Sequence, residues 1–155
     1  MGRTTINMAA NSQEEAIVFT LDLPRKNLGS LKLNLDDREK CFINKPSSGK
    51  KFLAKPEEKK IVQIYGDSAS FDFSPYLNSI DFVFIDASHS YEYVLNDSRI
   101  ALKLLRNGKG FIVWDDYTTY WHGVMKALND LYLNESDFKE IKKITHTDLV
   151  FLLKP

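Results

Sequence analysis

Ile80-Asp81-Phe82-Val83-Phe84-Ile85-Asp86-Ala87-Ser88-His89-Ser90-Tyr91 is the stretch from which the rest of the chain can be read. Its first six residues are almost all aromatic or β-branched, and the run stops at an acid. A strand this apolar on both faces belongs in a sheet covered on both sides. From Tyr91 onward the period changes. Val94, Leu95, Ser98, Leu102 and Leu105 follow mostly at spacings of three and four, which lays one stripe along a helix. Ser90 stands where it can cap that helix, and Asn107-Gly108 supplies a left-handed stop. Phe111-Ile112-Val113-Trp114 then reads as another strand. Strand, helix and strand in this order make a parallel pair joined by a crossover.

The same alternation extends in both directions. Thr4 to Ala10 reads as a short helix, Ala16 to Leu23 and Ile61 to Tyr65 as strands. Trp121, Val124, Met125, Leu128, Leu131 and Tyr132 form a second helical stripe. Phe138 to Ile144 and Asp148 to Leu153 are extended runs joined by a tight turn around His146. The sequence therefore predicts one α/β domain over residues 1–155, with a mostly parallel sheet, helices on both faces and a C-terminal antiparallel hairpin. Lys26 to Lys60 is too long for an ordinary loop and should carry a helix or act as a variable lid.

Composition narrows the class. Of 155 residues 43% are apolar, enough for a buried core, so wholesale disorder is excluded. A single Cys41 cannot form an internal disulfide, which favours a reducing compartment. No apolar run approaches the ~18 residues of a spanning helix. Met1-Gly2 opens like a myristoylation site, but Ile6 stands where Ser or Thr is needed. A soluble cytoplasmic protein without membrane attachment is the expectation. The 21 basic and 21 acidic residues balance, yet Arg25 to Lys60 holds 11 basic against 5 acidic. Pro46-Ser47-Ser48-Gly49 interrupts that segment, and Phe42 and Phe52 are too few for a base-stacking platform. A solvated loop is expected there, and nucleic acid is not expected as a partner.

Chemistry should lie beyond the carboxyl ends of the parallel strands, where open α/β sheets bind ligands. Acids stand at four such ends: Asp22, Asp67 in Gly66-Asp67-Ser68, Asp86, and Asp115-Asp116. Asp22 suits the two hydroxyls of a ribose, or else caps the segment that follows with help from Pro24. Gly66-Asp67-Ser68 lets backbone approach an adenine ring with Asp67 accepting from its amino group, or is a plain turn. Asp86, Asp115 and Asp116 offer oxygens to a hard divalent ion, or one of the pair caps a helix running Thr118 to Asn134. His89, three residues after Asp86 on a loop entering a helix, is placed to take a proton from a substrate hydroxyl. His122 and His146 have less support, and Cys41 reads as a spectator.

Gly2-Arg3-Thr4-Thr5, Thr20-Leu21-Asp22-Leu23-Pro24, Gly66-Asp67-Ser68, Ile85 to Tyr91, and Trp114-Asp115-Asp116-Tyr117 come in the order found in one family. The chain resembles class I S-adenosylmethionine-dependent methyltransferases. It is most similar to the branch of sugar O-methyltransferases and cephalosporin-hydroxylase-like proteins. The likeness covers most of the chain, is weakest over Lys26 to Lys60 and most specific from Ile80 to Tyr117. It implies a Rossmann-like fold with S-adenosyl-L-methionine as cofactor. Gly2, Thr4 and Thr5 would then face the cofactor's methionine portion, Asp22 and Leu23 its ribose, and Gly66, Asp67 and Ser68 its adenine. Asp86, Asp115 and Asp116 fall where metal-dependent members hold Mg²⁺, and Asp86 also borders the cofactor. His89 matches a general base. The implied reaction is methyl transfer to a small-molecule hydroxyl.

Ala87 stands where relatives often have Gly, and Asp115 where near relatives often have His. The family also carries a strand ahead of the Gly2 segment, between the strands ending at Asp22 and Asp86. This sequence shows only Met1 there. The expectation is an N-terminally incomplete domain whose flanking strands have unpaired edges, rearrange, or borrow a strand in a homo-oligomer. The alternative to an enzyme is a catalytically silent relative serving as an interaction or oligomerisation module.

Overall fold

The computed structural model describes residues 2–23, 29–39 and 49–155. The β-branched and aromatic runs become strands where expected. Val18–Asp22 (β1) and Ile61–Tyr65 (β2) pair in parallel, Val18 opposite Ile61 and Asp22 opposite Tyr65. Phe82–Ile85 (β3) and Gly110–Trp114 (β4) form a second parallel pair. Val150–Lys154 (β6) runs antiparallel to β4, and Lys142–Lys143 (β5) antiparallel to β6. Three helices, Arg3–Asn11 (α1), Tyr91–Leu104 (α2) and His122–Asn134 (α3), complete a mixed α/β architecture.

Instead of one mostly parallel sheet, the described residues form two. One holds β1 and β2, the other has the order β3-β4-β6-β5. Among the described residues β1 and β3, the strands expected to flank an additional one, each have a strand partner on one side only. Side chains and backbone of the 29–39 and 66–70 segments join the halves. The Tyr93 hydroxyl on α2 donates to Asp67 Oδ1 at 2.8 Å, and Lys32 N–H donates to Asp67 Oδ2 at 3.0 Å.

The main core belongs to the four-stranded half. Val94, Ala101 and Leu105 from the α2 stripe meet Val124, Leu128 and Leu131 from α3 over Ile112, Trp114, Val150 and Leu152 of the sheet. Trp114 Nε1–H donates to the buried Ser98 hydroxyl at 2.9 Å, which donates to Val94 O at 2.6 Å. The small residue in the apolar stripe of α2 thus satisfies the indole N–H inside the core.

Element ends depart from the sequence reading for local reasons. Ser90 sits at the α2 N-cap without a side-chain cap; its carbonyl accepts from Val94 N–H instead. Asn107 and Gly108 do take left-handed φ values of 55° and 70°. The third helix begins at His122 rather than Thr118, because Asp116 has φ 63° and the chain turns before it can wind. The hairpin is shorter than expected on its first arm: Ser136–Phe138 forms a 3-10 turn that drives Phe138 into the core, leaving two paired residues in β5. Within Lys26 to Lys60, the described residues contain no α-helix, only turns and short 3-10 pieces, of which Pro56–Lys60 is the longest described. Readings placed on Met1, Pro24, Cys41, Phe42, Lys45 and Pro46-Ser47-Ser48 fall outside the described residues. No described helix is long and apolar enough to cross a membrane.

Candidate active site

β3 and β4 end side by side, stitched by Asp115 N–H donating to Ile85 O at 3.0 Å. Two loops leave this edge. Asp86 to Ser90 leads into α2, and Asp115 to Trp121 leads into α3. The left-handed backbone at Asp116 turns its carboxylate back toward the first loop, where Oδ2 lies 2.8 Å from His89 Nε2. On the other side of the ring, His89 Nδ1 lies 2.7 Å from Glu39 Oε1. Trp121 stacks on the imidazole with centroids 3.8 Å apart and planes 10° from parallel. Position 123 must be glycine for this to close. A Cβ there would fall on the carbonyl oxygen of His89 and within 2.8 Å of Tyr91 N.

Glu39 is 4% exposed, and its carboxylate is fully bonded. Oε1 accepts from the His89 amide and lies within hydrogen-bond distance of the His89 ring at Nδ1. Oε2 accepts from the Ser88 hydroxyl at 2.9 Å and from Asp36 N–H at 3.3 Å. Burial alone would raise the Glu39 carboxyl; the bonds from His89 and Ser88 outweigh it and hold the group below its ordinary value. Burial pulls the His89 imidazole down, but the bonds and charges of Glu39 and Asp116 win and leave it raised. Arg38 adds a bond to Tyr120 O at 2.8 Å, so residues 36–39 strap both loops.

Asp86, Asp115, Asp116 and His89 line one small cavity of about 10 Å³ with Ser88 and Val94. The carboxylates expected to hold Mg²⁺ are therefore neighbours, yet they do not make a cation cage. No group of three or more His, Cys, Asp or Glu among the described residues is arranged to hold a metal. Asp116 Oδ2 is directed at His89, and Asp115 Oδ1 accepts the Asp116 amide at 2.8 Å. A magnesium ion demands converging oxygens in near-octahedral geometry. The metal assignment of Asp86, Asp115 and Asp116 does not fit this arrangement.

The residues expected to hold S-adenosylmethionine divide. Gly2 stands at the N-cap of α1 with φ 86°, and among the described residues no side chain caps that helix, so the first-turn amides of Arg3, Thr4 and Thr5 have no intrahelical partner. Asp22 ends β1 half-buried. Its Oδ2 accepts from Gln63 at 3.1 Å and more weakly from Thr20 at 3.5 Å, while no described residue donates to Oδ1. A carboxylate oxygen at a strand end is the acceptor to which ribose hydroxyls donate. Leu23 follows directly, and Gly66 N–H bonds Asp22 O at 3.0 Å.

Asp67 does not fit the adenine role. It is 7% exposed and accepts from Lys32 N–H, Ala69 N–H and the Tyr93 hydroxyl. Burial would raise its carboxyl, but those donors hold it below the ordinary value. Its carboxylate ties the 29–39 segment to α2, and Ser68 O accepts from Asn96 Nδ2 at 3.5 Å beside it.

Sequence reasoning missed Glu39, Trp121 as an imidazole platform, and Gly123. Glu39 stood among basic residues as one acid of five, 50 residues from its partner, with no spacing to mark it. Trp121 was read as the start of an apolar stripe. Gly123, one turn into a predicted helix, was the one legible sign, since a glycine there weakens the helix unless another backbone must come close.

Polar groups gathered beyond the carboxyl ends of parallel strands, on a mixed α/β scaffold, stand where open α/β proteins bind their ligands. A family model described as "Methyltransferase domain" matches residues 1–117. The chain belongs to this methyltransferase family, which implies a Rossmann-like fold. An uncharacterized protein of Acanthamoeba polyphaga mimivirus is 45% identical over 56 residues, covering 35% of this chain and 25% of that protein. The matched part thus spans about a quarter of that relative's length. No solved structure matches the chain.

Proposed function

We propose that the chain binds S-adenosylmethionine and directs its methyl group to the hydroxyl oxygen of a small molecule, with His89 as the general base. The observation that carries this reading is the His89 imidazole fixed between Glu39 and Asp116 at the end of β3, on a domain of the methyltransferase family. Gly2 and the first-turn amides of α1 would meet the cofactor's methionine end, and Asp22 its ribose. When bound, the cofactor supplies an electrophilic methyl group on a sulfonium sulfur.

His89 does the remaining chemistry. The neutral ring accepts the hydroxyl proton at Nε2, which breaks the O–H bond and leaves the oxygen as nucleophile. The imidazolium so formed stands between two carboxylates, and its raised pKa makes the neutral ring a stronger base. Asp116, a third exposed on its side chain, can turn toward water as the hydroxyl approaches. Positioning by the strap and by Trp121 supplies the rest. No step runs through a metal.

Calorimetry with S-adenosylmethionine is the test. Micromolar binding that weakens in Asp22→Ala is expected; no binding at millimolar cofactor by folded protein would remove the reading. A second reading has its own observation. Among the described residues β1 and β3 each pair on one side only, and an unpaired edge is a template for another strand. A catalytically silent module that assembles through these edges should sediment as a dimer that persists at low micromolar concentration and bind no cofactor.

A further inference from the structure

We infer that Glu39 is the positioning residue that sets the tautomer of His89, keeping the proton on Nδ1 so that Nε2 presents its lone pair toward the Asp86–Asp115–Asp116 edge. This rests on the reading of His89 as a base only for its consequence; the assignment itself comes from geometry. The two carboxylates beside the ring are not equivalent. Glu39 is 4% exposed and held by the Ser88 hydroxyl, the Asp36 amide and the His89 amide, so it has no freedom to leave Nδ1. Its side chain is 5% exposed, against 34% for that of Asp116. In the neutral ring one nitrogen carries hydrogen and the other a lone pair. The immobile buried carboxylate cannot face a lone pair without losing its charge-assisted bond, whereas Asp116 can rotate to solvent. The proton therefore stays on Nδ1.

Stacking restricts the alternative. Trp121 lies flat on the imidazole at 3.8 Å, and Gly123 lets α3 press against the His89 carbonyl, so ring and backbone are both confined. A ring flip exchanging the nitrogens would move Nδ1 away from Glu39 while the His89 amide still holds that same carboxylate oxygen. Each bond on Glu39 supports one orientation. The second carboxylate then has a different part: it steadies the imidazolium once Nε2 has taken a proton.

The assignment is read without cofactor or acceptor by imidazole ¹⁵N–¹H correlation spectra of the full chain, recorded on the alkaline side of the His89 titration. Wild type is expected to show the Nδ1–H form, with Nε2 unprotonated. In Glu39→Ala the remaining carboxylate, Asp116, should draw the hydrogen to Nε2 and invert the pattern. Asp116→Ala should keep the wild-type form. A wild-type ring protonated on Nε2, or an unchanged pattern in Glu39→Ala, overturns the assignment. The wild-type spectrum alone suffices if the alanine variant does not fold. Failure of methyl transfer is a separate matter, decided by calorimetry with S-adenosylmethionine on the same wild-type sample. Where both hold, Glu39→Ala should lower kcat by about 100-fold or more with little change in cofactor affinity, as expected when a base loses its orienting partner.

Discussion

The two halves of this chain are built from similar strands but bury them differently. β4 has three consecutive buried residues, Ile112, Val113 and Trp114, under two packed helices. β1 and β2 have no buried residue at all, and Ile17, Phe19, Val62 and Tyr65 are exposed beside or within them. A strand's apolar content states what it can bury, not what covers it. In the four-stranded half, α2 and α3 bury it. In the two-stranded half, α1 is the neighbouring helix and only Ala9 on it is buried. Stability should therefore be concentrated after Ile80, while the candidate base sits at the seam and draws Glu39 from the other side.

The sharpest test of this contrast is a matched pair of truncations. Leu152→Ala removes a fully buried side chain and should destabilise by about 4 kcal/mol, whereas Val62→Ala, 42% exposed, should lose about 0.5 kcal/mol. Equal losses in urea unfolding would break the comparison. Gly123→Ala comes next, at about 3 kcal/mol by overpacking. It should also shift the His89 ring resonances more than those of any β1 residue, since its Cβ strikes the His89 loop.

Tyr93→Phe tests the seam. It removes the hydroxyl donor to the buried Asp67 carboxylate and should cost about 1.5 kcal/mol. Amide exchange in residues 29–33 should accelerate more than in β4; acceleration confined to β4 would mean Asp67 does not join the halves. The smallest effect is a pH dependence. Glu39, held below its ordinary 4.5, adds stability that is present above that value and lost as pH falls through its folded value. His89, held above 6.5, adds stability that is complete below that value and lost as pH rises through its folded value. The difference in Tm between wild type and Glu39→Ala should peak between these limits and shrink on both sides. A flat difference would mean that packing, not charge, holds the strap.

Much of the four-stranded half was legible because its signals are local. The apolar run before Asp86, the stripe from Val94 to Leu105 and the Asn107-Gly108 stop each act within a few residues. The Phe138 turn was not, since its burial depends on α3 and β6, which lie on either side in sequence. His89 was legible from its place between a strand end and a helix. Its partner was not, because Glu39 reaches it through a tertiary contact that no periodicity encodes. Asp67 misled for the opposite reason: Gly-Asp-Ser is turn chemistry in any context, and only the position of Tyr93 decides where its carboxylate faces.

Trp121 is one of two tryptophans in the chain, and the other, Trp114, is buried with its ring tilted against Phe138 and its N–H on Ser98. A protonated imidazole in face-to-face contact quenches indole emission, whereas a neutral one does so far less. The protein therefore carries its own optical reporter: its fluorescence should brighten as His89 gives up its charge, and Trp121→Phe, which removes the stacked indole, should take away most of that response.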